Sequence, residues 1–166
     1  MFTFPMTLMG GGFNNSLSTI FDGVDEYVQT SVDFSGLSAL TLSGWFYRDL
    51  VTQRLDISQT DNGNADRIKI TLNSSTSAFF VVGGSFLTSS VLGTGWFHIA
   101  ATFDGSAVAA DRLKLYVNGV IDGVLTGVPP TSLPIVGDSQ TLRLGNDNGT
   151  SSFTDGNIDE LAYGRW

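Results

Sequence analysis

The chain has 166 residues, hydrophobic residues at 42% of positions and a net charge of −8, which gives enough apolar material for a substantial core and argues against disorder. A pI near 4.2 argues against a nucleic-acid binder, because a phosphate backbone needs a basic face, and disfavours anionic membrane surfaces. Fourteen Asp stand against two Glu, Glu26 and Glu160, beside 20 Gly; Asp and Gly favour turns where Glu would favour helix, so strands joined by many turns are expected.

Taken in chain order, residues 1–9 alternate, with Phe2, Phe4, Met6 and Leu8 on one face and Thr3, Pro5 and Thr7 on the other. That pattern predicts a strand, and Pro5 places it at a sheet edge. Gly10, Gly11 and Gly12 form a hinge, so residues 1–12 read either as the first strand of the domain or as an arm that adds to a neighbouring subunit. LSTIF and EYVQT follow, separated by a turn at 22–25. Residues 40–47 alternate again, Leu40, Leu42, Gly44 and Phe46 against Thr41, Ser43, Trp45 and Tyr47. RLDIS and RIKITL bracket an Asp/Asn-rich loop at 59–66, and residues 78–82 form a further strand that ends at Gly83-Gly84. Residues 96–103 carry large side chains on both faces, which predicts a central, buried strand.

LKLYVNGVIDGVL is the strongest local signal. Leu113, Leu115 and Val117 alternate into Asn118-Gly119, the dipeptide of a type I′ hairpin in which both turn residues take positive φ. A Pro-containing loop at 129–134, the strand TLRLG, a second Asp/Asn-rich loop at 146–155 and a strand at 157–163 complete the chain. Many short strands without helix predict an all-β sandwich in one domain over 1–166.

The absence of Cys removes disulfides from the argument. No apolar run is long enough to span a membrane as a helix. The first residues lack a positive segment, since Arg48 is the first basic residue, so they do not resemble a secretory signal; a cytosolically made chain, or a mature form, is expected. The glycosylation sequons at Asn14, Asn73 and Asn148 read as incidental.

FDGVDEYV, LTLSGWFY, GWFHIAATFDG, LKLYVNGV, LRLG and GNIDELAYGR occur in this order over residues 16–165, and this succession resembles laminin G-like domains of the concanavalin A-like superfamily. The resemblance implies a two-sheet antiparallel jelly roll of six or seven strands per sheet, with the first and last strands adjacent. It also implies a glycan- or protein-binding module, often holding Ca²⁺. Fold alone does not settle function.

His98, the only histidine, lies among large apolar residues in the Trp-x-His strand of the resemblance and is expected to be structural rather than catalytic. Glycosidases of the superfamily carry Glu-x-Asp and a further Glu on one strand; this chain has two distant Glu, so no catalytic residues are expected. Phosphate-loop and HExxH patterns are absent. Calcium, which takes hard oxygen ligands, is the remaining cofactor candidate. Asp22 and Asp25 flank one turn, and the resemblance brings Asp159 of the last strand near them, so the three are the candidate metal ligands. The alternative is that Asp22 caps its own turn. The acid-rich loops at 61–66 and 147–155 match no EF-hand spacing and read as solvated. Trp45 and Trp96 are expected in the core, with Phe86 and Phe153 as loop aromatics better placed to meet a sugar.

Two functions are compatible with these features. One is a non-enzymatic structural or adhesive subunit, such as a virion protein decorating a capsid or tail, that contacts other copies of itself or other virion proteins through residues 1–12. The other is a Ca²⁺-dependent carbohydrate-binding module, extracellular, that uses one end or the concave face of the sandwich.

Overall fold

A computed structural model describes residues 18–61, 66–73, 76–137, 140–147 and 152–164; the arm at 1–12, the sequons at Asn14 and Asn148, and loop residues 62–65 and 148–151 lie outside them. Six strands, β1 (Thr19–Asp22), β2 (Val28–Gln29), β3 (Ala39–Arg48), β4 (Leu55–Thr60), β5 (Arg67–Leu72) and β6 (Ser77–Val82), make up the first half. The second half supplies β7 (Ser85–Val91), β8 (Gly95–Asp104), β9 (Leu113–Val117), β10 (Val120–Ile121), β11 (Val124–Thr126), β12 (Arg143–Leu144) and β13 (Asp155–Gly164). Among the described residues the only helical element is a 3-10 turn at Ala109–Asp111.

The strands form a six-stranded sheet in the order β1-β13-β3-β8-β9-β10 and a seven-stranded sheet in the order β11-β7-β6-β5-β4-β12-β2, with every named pair antiparallel. The last strand lies between β1 and β3, so the ends of the sandwich meet as expected. The Asn118-Gly119 turn closes directly onto the Val117–Val120 pair with φ of 50° and 80°, the left-handed pair a type I′ turn requires.

Alternation sets the core. In β3, Leu40, Leu42 and Phe46 are fully buried, and across the β3–β8 register they meet Phe103, Ala101 and Phe97. From the other sheet, Ile57, Ile70 and Phe80 form one continuous inward row through the β4–β5–β6 pairing and share a single apolar cluster with them. Each such side chain contributes about 1.5–3 kcal/mol through burial.

The same phase corrects the expectation for the tryptophans. Because Phe46, Ile99 and Ala101 point inward, Trp45, Tyr47, Trp96 and His98 occupy the opposite face of the six-stranded sheet, where they are half-buried. Trp45 alternates with Thr41 and Ser43, residues at home on a half-exposed surface; its size did not override its phase. Strand β8 is central, between β3 and β9, but only one of its faces is fully covered.

Arg48 closes the end of β3. Its guanidinium is fully buried and donates to the carbonyl oxygens of Gly93 at 3.0 Å, Val51 at 3.1 Å, Thr76 at 3.3 Å and Leu92 at 2.9 Å. One side chain thereby ties three chain segments together. Burial pulls its pKa below the ordinary arginine value.

Candidate functional site

The candidate metal ligands do not converge. Strand adjacency is as expected, since β1 pairs with β13, but Asp22 stands opposite Asp155. Asp159 is four residues farther along β13, roughly 13 Å away at the rise of a strand, and stands beside Trp45. A Ca²⁺ ion needs its oxygens within about 2.6 Å, so Asp22 and Asp159 cannot share one. Asp22 instead caps its turn: its Oδ1 accepts from the Val24 N–H at 2.9 Å, and its own N–H donates to Glu26 Oε2 at 3.3 Å. Asp25 is exposed and lines a shallow hollow of about 440 Å³ with Ile20, Glu26, Tyr27 and Val28. Among the described residues, no three His, Cys, Asp or Glu side chains are grouped as metal ligands.

On the outer face of the six-stranded sheet, the aromatic side chains pair across strands. The Tyr47 and Trp96 rings lie 5.3 Å apart, and the Trp45 and His98 rings meet edge-on at 5.2 Å. Burial lowers the His98 pKa, against the opposing effect of the Glu160 charge. Asn118, from the hairpin turn, accepts the His98 backbone N–H through its Oδ1 at 2.9 Å. His98 is therefore held as part of an aromatic surface.

The seven-stranded sheet carries a more polar site on its outer face. Residues 145–147 and Thr154 lie over β4, and all six residues of that strand are buried. Ser58 Oγ donates to the carbonyl oxygens of Asn146 and Asp147, each at 2.7 Å, and the Asp56 N–H donates to Thr154 Oγ1 at 2.9 Å. Asp147 is buried rather than solvated: its Oδ2 accepts from Lys69 Nζ at 2.7 Å and Arg54 Nη2 at 2.9 Å. Arg54 also pairs with Asp56. Burial raises the Asp56 pKa, partly offset by the Arg54 hydrogen bond and charge.

Beside this network lies a groove of about 470 Å³, whose lining includes Arg67, Lys69, Thr71, Asn73, Phe79 and Phe86. Phe86 belongs to β7 rather than to a loop, and its ring is 6.2 Å from that of Phe79. Phe153 is half-buried in an isolated bridge with Asn146. Asp147 and Arg67 were not singled out from sequence, because only the strap over β4 and the pairing register bring them to one surface.

Among the described residues, both lateral sides of the sandwich end in open strands. Strands β1 and β2 edge one side, where Ile20, Val24, Tyr27 and Val28 are exposed; β10 and β11 edge the other, where Val120, Ile121, Val124 and Val128 are exposed. No charged residue lies in β10 or β11. Asp122, between them, is turned away to accept from the Ser90 N–H at 3.0 Å.

Residues 22–163 match a laminin G family model described as the concanavalin A-like lectin/glucanases superfamily. Among solved structures, domains LG4-5 of the mouse laminin alpha1 chain are similar at a TM-score of 0.56 and 12% identity, over 96% of this chain. This chain spans 47% of the length of that one. A search of curated proteins returned no match.

Proposed function

Because the chain belongs to the concanavalin A-like lectin/glucanases superfamily, we propose that it is a non-enzymatic structural and adhesive subunit of a larger assembly, specifically a virion protein of a capsid or tail. The observation that supports this reading is the apolar β10/β11 edge, which no described strand covers. Natural sheets blunt exposed edges with charge, proline, short strands or a covering segment; β10 and β11 are short, but their exposed aliphatic residues carry no charge or proline. A low content of charged residues, 14%, suits surfaces packed against copies of themselves. In this reading residues 1–12 are the arm, and their alternating apolar side chains add to the β10/β11 edge of a neighbour.

Light scattering coupled to size exclusion tests this on three proteins: the full chain, a variant lacking residues 1–12, and Val120→Lys/Val124→Lys. The full chain is expected to form a defined oligomer. Both variants should be folded and monomeric. Oligomers that survive both changes, or a full chain that is monomeric at high concentration, would overturn the proposal.

A second reading, carbohydrate binding, is favoured by the aromatic surface around Trp45, Tyr47 and Trp96 and by the groove beside Phe79 and Phe86. It does not depend on an ion shared by Asp22, Asp25 and Asp159, since Asp159 stands too far from Asp22. A glycan array run with and without chelator separates the readings: selective binding supports the module, and a blank array removes it.

A further inference from the structure

The pole of the sandwich at the end of β3 joins exposed apolar side chains to a loop backbone that is already hydrogen-bonded. Leu50, Val51 and Val91 are 60%, 39% and 76% exposed. Arg48 brings their two loops together, because the Val51 and Leu92 carbonyl oxygens both accept from its guanidinium. The same buried side chain also takes the carbonyl oxygens of Gly93 and Thr76. Gln53 completes the loop: its Oε1 accepts the backbone N–H groups of Asp49 and Leu50, each at 2.9 Å, and its own N–H donates to the Leu50 carbonyl oxygen at 3.1 Å. A loop in water can leave such groups to the solvent. Hydrocarbon accepts and donates nothing, so a loop that enters lipid must satisfy them internally. Residues 49–53 and 90–95 contain a single charged side chain, Asp49. Tyr47 and Trp96, one residue in from Arg48 and Gly95 along β3 and β8, pack together at 5.3 Å on the outer face. Tyrosine and tryptophan combine an apolar body with a polar tip, which suits the headgroup level of a membrane. Two strands over, roughly 10 Å at sheet spacing, Asp22 and Asp155 close the same end and repel anionic headgroups.

We infer that this pole docks on the interface of a zwitterionic lipid bilayer, with Leu50, Val51 and Val91 entering the acyl boundary and Tyr47 and Trp96 at headgroup level. A strand or peptide partner would draw on open backbone donors and acceptors, as a lateral rim can offer; at the pole the groups named above are taken by Arg48 and Gln53. Acidic residues at the same end, with no basic residue in either loop, favour a surface without net charge over an anionic one. Three side chains carry less apolar surface than one acyl chain, so the contact is shallow and reversible. It requires neither assembly through the rims nor a glycan.

The test is flotation of the full chain with vesicles of pure phosphatidylcholine and with vesicles that also contain phosphatidylserine. Tryptophan fluorescence is followed with lipids brominated on the acyl chain. Expected are flotation with phosphatidylcholine, quenching by the brominated lipid, and weaker flotation as phosphatidylserine is added. Leu50→Ser/Val51→Ser should lower partitioning at least tenfold. Val91→Ser, on the other loop, should lower it severalfold and covers the case in which the double variant fails to fold. Gln53→Ala returns two backbone N–H groups to a need for water, and it should also weaken partitioning severalfold. Ile135→Ser is the control: Ile135 is 70% exposed but lies beside Gly36, at the opposite end of β3, and its loss should leave flotation unchanged. The assignment is overturned if the chain floats with neither vesicle, as it would if the pole seated in a protein pocket. It is equally overturned if phosphatidylserine strengthens flotation, if flotation survives the variants of both loops, or if Ile135→Ser abolishes it.

Discussion

Asp147→Asn removes one charge while preserving side-chain shape, and the structure makes its cost large. The Asp147 carboxylate accepts from Lys69 Nζ at 2.7 Å, Arg54 Nη2 at 2.9 Å and Thr60 Oγ1 at 3.3 Å. Lys69 is only 6% exposed, so its ammonium cannot recover hydration when its partner is neutralised. Breaking a buried pair from one side costs about 3–5 kcal/mol, whereas an exposed pair costs about 0–1 kcal/mol. For a chain of this size that is a fall in Tm of roughly 8–15 °C. Guanidinium denaturation with an unchanged slope measures the loss directly. Removing both partners, as in Lys69→Met/Asp147→Leu, should recover most of the stability, because a shape-matched apolar pair leaves no stranded charge. A loss below about 1 kcal/mol in Asp147→Asn, or a double variant no better than the single, would refute the claim that Asp147 acts as a buried clamp.

The other predictions concern the frame around the two faces. Arg48→Met keeps the length of the side chain but strands four carbonyl oxygens; a loss above about 3 kcal/mol is expected, with hydrogen exchange accelerated at 50–53 and 92–94, and an unaffected melt would contradict it. Gly105→Ala and Gly119→Ala separate two reasons for glycine. At Gly105 an added Cβ would lie 1.8 Å from the Thr131 carbonyl oxygen, so the variant should lose most of its soluble folded yield; at Gly119 the space is open but φ is +80°, so about 1 kcal/mol is expected.

Strand phase was legible from sequence wherever apolar residues alternate without interruption. Residues 40–47 and 113–117 fall in the observed strands with the expected inward faces, and Asn118-Gly119 turns as its φ requirements dictate. The strand at Ser85–Val91 was not foreseen, because the buried residues that mark its inward phase include Ser85 and Ser89, which carry no hydrophobic signal. Trp45 and Trp96, expected in the core, lie on the outer face, because their phase is opposite to that of Phe46 and Ile99. For the acids, the missing quantity was register. Adjacency of β1 and β13 follows from the resemblance, yet only the pairing of Asp22 with Asp155 shows that Asp159 lies four residues beyond it. Asp147 was illegible for a related reason: its partners Lys69 and Arg54 lie 78 and 93 residues away, and only the strap over β4 brings them together.

The edges and the faces of this sandwich make separate demands, which is why assembly and ligand binding need not compete. The proposed pairing through β10 and β11 would use the lateral rim, while Arg67 and Phe86 lie on the outer face of the seven-stranded sheet, and Trp45 and Trp96 on that of the other. The two rims also differ: Asp22, Asp25 and Glu26 border β1 and β2, whereas β10 and β11 carry no charge. A contact between unlike rims is heterologous, and it propagates into a ring or an array. If the proposed assembly forms and the carbohydrate reading holds, a glycan contact weak in one subunit would gain about 10²–10⁴ in avidity on a polymeric glycan whose repeat matches the subunit spacing. On the proposed reading, adhesion would then arise from the rims and a face together, with no need for a tight single site.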